Sequence, residues 1–199
     1  MASSDGHNTD GRIARGERTR EAILDAHTAL LRDGVLKPTG KVIAERAGIS
    51  VRTLWLNVKD LEALMAASVA YWLAADAELR VPVDPAAPLD ERIAGFVAQR
   101  VERLEHIAPA ARSAALGEPF SPALQAGRRE HVLRVRRDVD EAFGAELDAS
   151  GPTREELGTA LFVAASWPSW STLRDDLDLD TAAAAAVMRT SIERLLSAG

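Results

Sequence analysis

Apolar residues along this chain recur at intervals of three and four, and the two-residue alternation of a half-buried strand is essentially missing. The spacing predicts an all-α protein of about nine helices. In the first, over 17–33, Ile23, Ala26, His27, Leu30 and Leu31 share a face and Gly34 supplies the stop. Thr39 is a natural N-cap for a short helix over 40–47. Gly48 ends it, and Ser50 caps another over 50–56. Asp60 opens a longer one whose stripe is Leu61, Leu64, Met65, Ser68, Trp72 and Leu73.

The three prolines of 81–88 cannot continue a helix and read as a joint. Beyond it Leu89, Ile93, Phe96, Arg100, Val101 and Leu104 keep helical step up to Pro109, with a short helix over 109–117. A long helix over 121–148 has Val132, Val135, Val139 and Ala142 on one face. Thr153 with Glu156 fits a capping box for a helix over 153–174 that Pro168 should kink or break. The last helix spans 180–197, where Ala182–Ala186, Val187, Met188, Ser191 and Leu195 offer a face to a partner helix.

Residues 1–16 have little to bury and read as a disordered basic arm. The chain has no cysteine, which removes disulfides, thiolate metal sites and cysteine nucleophiles. No apolar run approaches membrane-spanning length and the first residues are too polar for a signal peptide, so a cytoplasmic location with no membrane association is expected. The net charge of −6 argues against nucleic acid only until it is divided. Residues 1–70 hold 10 Lys and Arg against 9 Asp and Glu, and the rest hold 14 against 21. Arg12, Arg15, Arg18 and Arg20 crowd just ahead of the two short helices.

Two short helices about a tight glycine turn have a well-known use. The first braces across phosphates while the second sets its N-terminal side chains in the major groove. In residues 39–57 Ala44 and Ala47 are small where helices cross, Gly48 permits the left-handed turn, and Ile49 and Leu54 anchor the second helix. Ser50, Val51, Arg52 and Thr53 are left to reach bases and phosphates.

This stretch resembles the TetR family of bacterial transcriptional regulators, ungapped from about Thr19 to Met65. The likeness is carried by ILDAHTALLRDG, by IAERAGISVRTLW and by VKDLEAL. The resemblance implies a DNA-binding domain at 17–62 and a helical ligand-binding and dimerisation domain at 63–199. It gives Thr39, Lys41, Ser50, Val51, Arg52, Thr53, Trp55, Asn57 and Lys59 as DNA contacts. Arg52 and Thr53 would be readers, with Val51 against a thymine methyl. Trp55 stands where the family usually has a phosphate-bonding Tyr. Gly40 replaces an apolar residue and Val58 a Phe. Leu61 replaces a Lys that touches phosphate, for which Lys59 is a nearby substitute.

The closing helices, 153–174 and 180–197, look like the pair through which such proteins form homodimers. Double-stranded operator DNA, a second copy and an unidentified small-molecule effector are therefore the expected partners, with no cofactor. Candidate effector contacts are Trp72, Phe96, Arg100, His131, Trp167 and Trp170, with Phe120, Arg103 and His106 as further lining. Arg100 falls on an otherwise apolar stripe, so it needs either a buried carboxylate or an acidic ligand. The four histidines share no metal-ligand spacing, and no phosphate loop or serine elbow is present, so neither a metal site nor an enzyme is expected. The expected function is a ligand-released repressor. The alternative raised by Gly40, Val58 and Leu61 is a dimeric small-molecule-binding or protein-interaction module with a degenerate helix-turn-helix.

Overall fold

The computed structural model of the chain describes the backbone of residues 5–197, with side chains from residue 14 onward. Among the described residues there are nine α-helices and no strand: α1 Asp5–Arg32, α2 Gly40–Arg46, α3 Val51–Asn57, α4 Leu61–Glu78, α5 Leu89–Gly117, α6 Pro122–Ala149, α7 Arg154–Ala164, α8 Trp167–Ser171 and α9 Thr181–Ser197. None of them is long and apolar enough to cross a membrane.

Several elements depart from the sequence expectation. The arm expected over 1–16 falls partly outside the described residues, which exclude positions 1–4 and the Arg12 side chain. Its described backbone is helical from Asp5. No proline precedes Pro38, and extending an existing helix adds a hydrogen bond for each residue fixed. Pro109 does not divide α5 from a separate short helix but lies inside it. Ile107 and Ala108 beside it are buried, and their packing carries the helix across the missing bond.

Thr153 makes no capping box. It is the last residue of a 3-10 turn over Gly151–Thr153, is not extended (φ −93°, ψ 11°), and its hydroxyl donates to the Ser150 carbonyl at 3.0 Å. The break expected at Pro168 occurs just before it, at Ala165 and Ser166. The proline then sits in the first turn of α8, where a missing N–H costs no intrahelical bond. A π-helical turn, Thr172–Asp176, follows.

The chain forms two compact units, Met1–Trp72 with Pro109–Ala126, and Leu73–Ala108 with Gly127–Gly199. In the first, Ile23, Ala26 and Leu30 of α1 meet Ile43 and Ala44 of α2, Leu54 of α3 and Leu64 of α4 in one core. Val42, Ala47, Ile49 and Val58 pack around it. The small residues of α2 and the turn thus sit where the helices cross. Gly48 takes the left-handed φ of 66° that the sharp turn requires. Segment 109–126 is tied in by polar contacts rather than by that core. Ser113 donates to the Leu36 carbonyl at 2.7 Å, and the Glu62 carboxylate accepts from the Ser121 hydroxyl at 2.8 Å and the Ala123 amide at 2.7 Å.

The second unit is built on Ile93, Phe96, Val97 and Leu104 of α5 against Val135, Val139, Phe143 and Leu147 of α6. Leu161 of α7, Trp170 of α8, and Ala184, Met188 and Ile192 of α9 complete its core. Of the face expected to meet a partner helix, Met188 is turned into this core. The helix buries Ala184, Met188 and Ile192, four residues apart, and leaves Val187 of that face exposed.

Candidate functional site

The two short helices are capped as their sequence requires. The Thr39 hydroxyl accepts from the Val42 amide at 3.4 Å, and the Ser50 hydroxyl accepts from the Thr53 amide at 3.0 Å. Ser50 Oγ also lies 2.8 Å from Thr53 Oγ1, so these two candidate contacts are bonded to each other. Leu54 is wholly buried, whereas Val51, Arg52, Trp55 and Leu56 are exposed. Exposed Leu56 lies one turn beyond Arg52 on the same helix, and sequence reading had not singled it out. Only its exposure distinguishes it from the anchoring Leu54.

Asn57 is engaged within its own helix. Its amide donates to the Thr53 carbonyl at 2.8 Å, while its own carbonyl accepts from Arg20 Nε at 3.2 Å. Arg20, read from sequence as part of a basic cluster, thus ties α1 to the end of α3. Arg15 and Arg18 are exposed. Lys41 is exposed and 3.9 Å from Glu45, Lys59 is exposed, and Leu61 is half exposed. Asp60 caps α4 by accepting from the Ala63 amide at 2.8 Å. The ring of Trp55 lies against Gly40 at the start of α2. All nine candidate DNA contacts belong to the first unit.

The second unit contains a buried polar cluster. Arg103 holds Asp76 with two bonds, Nε to Oδ1 at 2.8 Å and Nη2 to Oδ2 at 2.7 Å, and reaches Asp138 Oδ2 with Nη1 at 2.7 Å. Arg80 Nε bonds the other Asp138 oxygen at 2.7 Å and its Nη2 pairs with Glu141. Burial works to raise the Asp76 carboxyl, but the bonds and charge of Arg103 outweigh it and hold the group below the ordinary carboxylate range. Arg100 is 0% exposed, and its Nε and Nη2 both donate to the Ala165 carbonyl, at 3.3 and 3.1 Å. Burial, and then the neighbouring Arg103, lower its pKa to about 10. His131 is lowered to about 4, first by burial and then by the charge of Arg100.

The remaining effector candidates divide. Phe96 packs edge-on against Phe143 at 5.1 Å between centroids, as core. Trp170 is fully buried with its indole N–H on Glu105 at 2.8 Å, and Trp167 packs against the same core. Trp72 belongs to the first unit, where the Arg32 guanidinium stands 4.9 Å over its ring. Phe120 is 87% exposed and lines no interior, because the 3-10 turn that carries it buries none of its residues. Between α6 and α7 a surface groove of about 410 Å³, walled by Arg136, Asp140, Arg154 and Glu155, includes none of the six candidates.

No protein-family model and no curated relative matches the chain. Solved structures do match it. A TetR transcription regulator from Haloarcula marismortui ATCC 43049 superposes with a TM-score of 0.66 at 18% identity, over 92% of this chain and 98% of that one. A transcriptional regulator from Rhodococcus sp. Rha1 superposes with a TM-score of 0.65 at 16% identity, over 92% and 96%. The nine helices of the described residues, with a helix-turn-helix in the first unit, thus have the all-α fold of a TetR transcription regulator.

Proposed function

We propose that this chain is a DNA-binding transcriptional regulator, acting as a homodimeric repressor that a small molecule releases from a near-palindromic operator. The observation that carries the reading is α3. A seven-residue helix, capped by Ser50 and anchored by Leu54, presents Val51, Arg52, Trp55 and Leu56 to solvent within a fold shared with transcription regulators. Arg52 is the principal base reader, suited to a guanine edge, while Val51 and Leu56 supply apolar contact to thymine methyls. Lys41 and Lys59 meet phosphates, as does the indole N–H of Trp55. Thr39, Ser50, Thr53 and Asn57 shape the two helices and touch the backbone from there.

The second unit receives the effector at its buried polar cluster, and the outward faces of α7 and α9 pair two copies. Effector binding favours a conformer whose two reading helices no longer match successive major grooves. Selection from a random duplex pool at near-physiological salt tests the reading. Enrichment of a near-palindrome with half-sites about 34–36 Å apart supports it. An unenriched pool with only weak, salt-sensitive binding leaves a dimeric ligand-binding module instead.

A further inference from the structure

The bonds of the buried cluster leave one cation over. Both oxygens of Asp76 are bonded by Arg103, and those of Asp138 are shared between Arg103 and Arg80. All four carboxylate oxygens are thus taken by two guanidinium groups. Arg100, with no exposed surface, has only the carbonyl of Ala165 for two of its nitrogens, and its Nη1 has no hydrogen-bond partner. The second terminal nitrogen of a guanidinium is a donor at neutral pH. Left unpaired in the interior, such a donor destabilises the fold.

On α6, His131 Nε2 is also buried without a partner. The charge of Arg100 acts on the His131 imidazole, as do those of Asp76, Arg103 and Arg134. Two orphaned nitrogens in one charged neighbourhood are a receptor for something the chain does not itself supply. A carboxylate matches it, because its two oxygens accept from a guanidinium nitrogen and an imidazole N–H together. Phe96 and Leu104 lie four residues on either side of Arg100 along the same face of α5, and both are buried. The rest of such a ligand is therefore apolar.

We propose that Arg100 Nη1 and His131 Nε2 receive the carboxylate of a small apolar organic acid. The proposal rests on the reading of the second unit as the effector-binding half, and adds that the effector is an anion. Of the two partners that sequence allowed for Arg100, the carboxylates of Asp76 and Asp138 are bonded by Arg103 and Arg80, which favours the acidic ligand.

The test is thermal unfolding of the full chain at constant ionic strength, with formate, acetate and benzoate each set against the matching neutral amide. Benzoate is expected to raise Tm with a saturating dose dependence, and benzamide to leave it unchanged. R100M should abolish the response. R100K keeps a cation but lacks the second terminal nitrogen, and should need at least tenfold more benzoate; it also serves if R100M does not fold. H131F should weaken the response while leaving some of it. Equal shifts with benzamide, no shift with any of the three acids, or an undiminished response in R100K would overturn the proposal. Equal shifts with benzamide would leave the effector reading standing, since the unit would then bind a neutral molecule.

Discussion

Trp55 lies across the Cα of Gly40, so closely that a Cβ on residue 40 would stand 2.6 Å from Cζ2 and 3.3 Å from Cε2 of the indole. Two positions that set this head apart from the family it resembles are therefore one adjustment. The indole occupies room that an apolar side chain would fill, and the glycine opens α2 with no side chain of its own. G40A is expected to push the ring outward and to cost roughly 1 kcal/mol or more from overpacking. W55F should relieve most of that cost, so denaturant midpoints of the single and double variants will be non-additive. Additive costs would mean the two residues are not coupled.

On the proposed function, Arg52 reads bases and Lys59 holds phosphate, and the two roles can be told apart. On a selected operator R52A is expected to lose about 1–3 kcal/mol, with little change on unrelated duplex, because a base contact discriminates and a phosphate contact does not. K59A should weaken both duplexes alike and flatten the salt dependence by about 0.9 in log–log slope. Binding titrations at four salt concentrations distinguish the two patterns. A uniform loss in R52A would reduce Arg52 to a phosphate contact.

The helical plan, the two caps at Thr39 and Ser50 and the turn at Gly48 were legible in sequence, because each depends on residues within one turn of itself. The role of Arg100 was legible only as a question. Its answer depends on Asp76 and Asp138, which lie on other helices, and on their being bonded by Arg103. Trp55 over Gly40 was hidden for the same reason, since two positions fifteen apart in sequence reveal a contact only when the helices have crossed. Met188 was misplaced because an alanine-rich helix has small residues all round, so its apolar stripe does not fix which side faces the core.

The paired charges differ in worth by their burial. Asp76 and Arg103 are each 1% exposed at the side chain, whereas Asp33 and Arg46 are 53% and 45% exposed at 2.7 Å. D76N is expected to destabilise by about 3–5 kcal/mol, because it leaves Arg103 with an uncompensated bond set in the interior. R46A should cost less than about 1 kcal/mol. Since the folded state holds the Asp76 carboxyl below its unfolded value of 3.8, its contribution is present above that pH and is lost as pH falls through the folded value. Urea unfolding from pH 5 to 2 checks this, and D76N should show a shallower acid limb.

His131 acts in a higher window. As a base lowered from 6.5 to about 4 in the folded chain, it binds protons less readily than in the unfolded chain. The stability tied to its neutral form is full above pH 6.5, declines as pH falls from 6.5 to 4, and changes no further below. By linkage the sum is of the order of 3 kcal/mol. His27, lowered by burial and with no partner for either ring nitrogen, adds in the same direction. H131F should flatten the decline between pH 6.5 and 4 and leave the one below pH 4 to the carboxylates. An unchanged pH profile in H131F would mean that the imidazole is solvated in the folded chain.

Val187 and Val163 are the residues on which pairing of two copies is expected to turn. Val187 is 42% exposed on α9 and Val163 is 52% exposed on α7, two helices that pack together in the second unit, and neither is part of its core. A charge at either position therefore spares the fold of one copy while placing an unpaired carboxylate in any surface that joins two. V163E/V187E is expected to sediment as a monomer with an unchanged far-ultraviolet circular dichroism spectrum and a Tm that no longer depends on protein concentration. Its operator affinity should fall steeply, since two linked heads bind as one ligand and separated heads do not. L133E, at a residue 63% exposed on α6, is the control and should remain paired. A V163E/V187E protein that still sediments as a dimer would place the joining surface elsewhere than on α7 and α9.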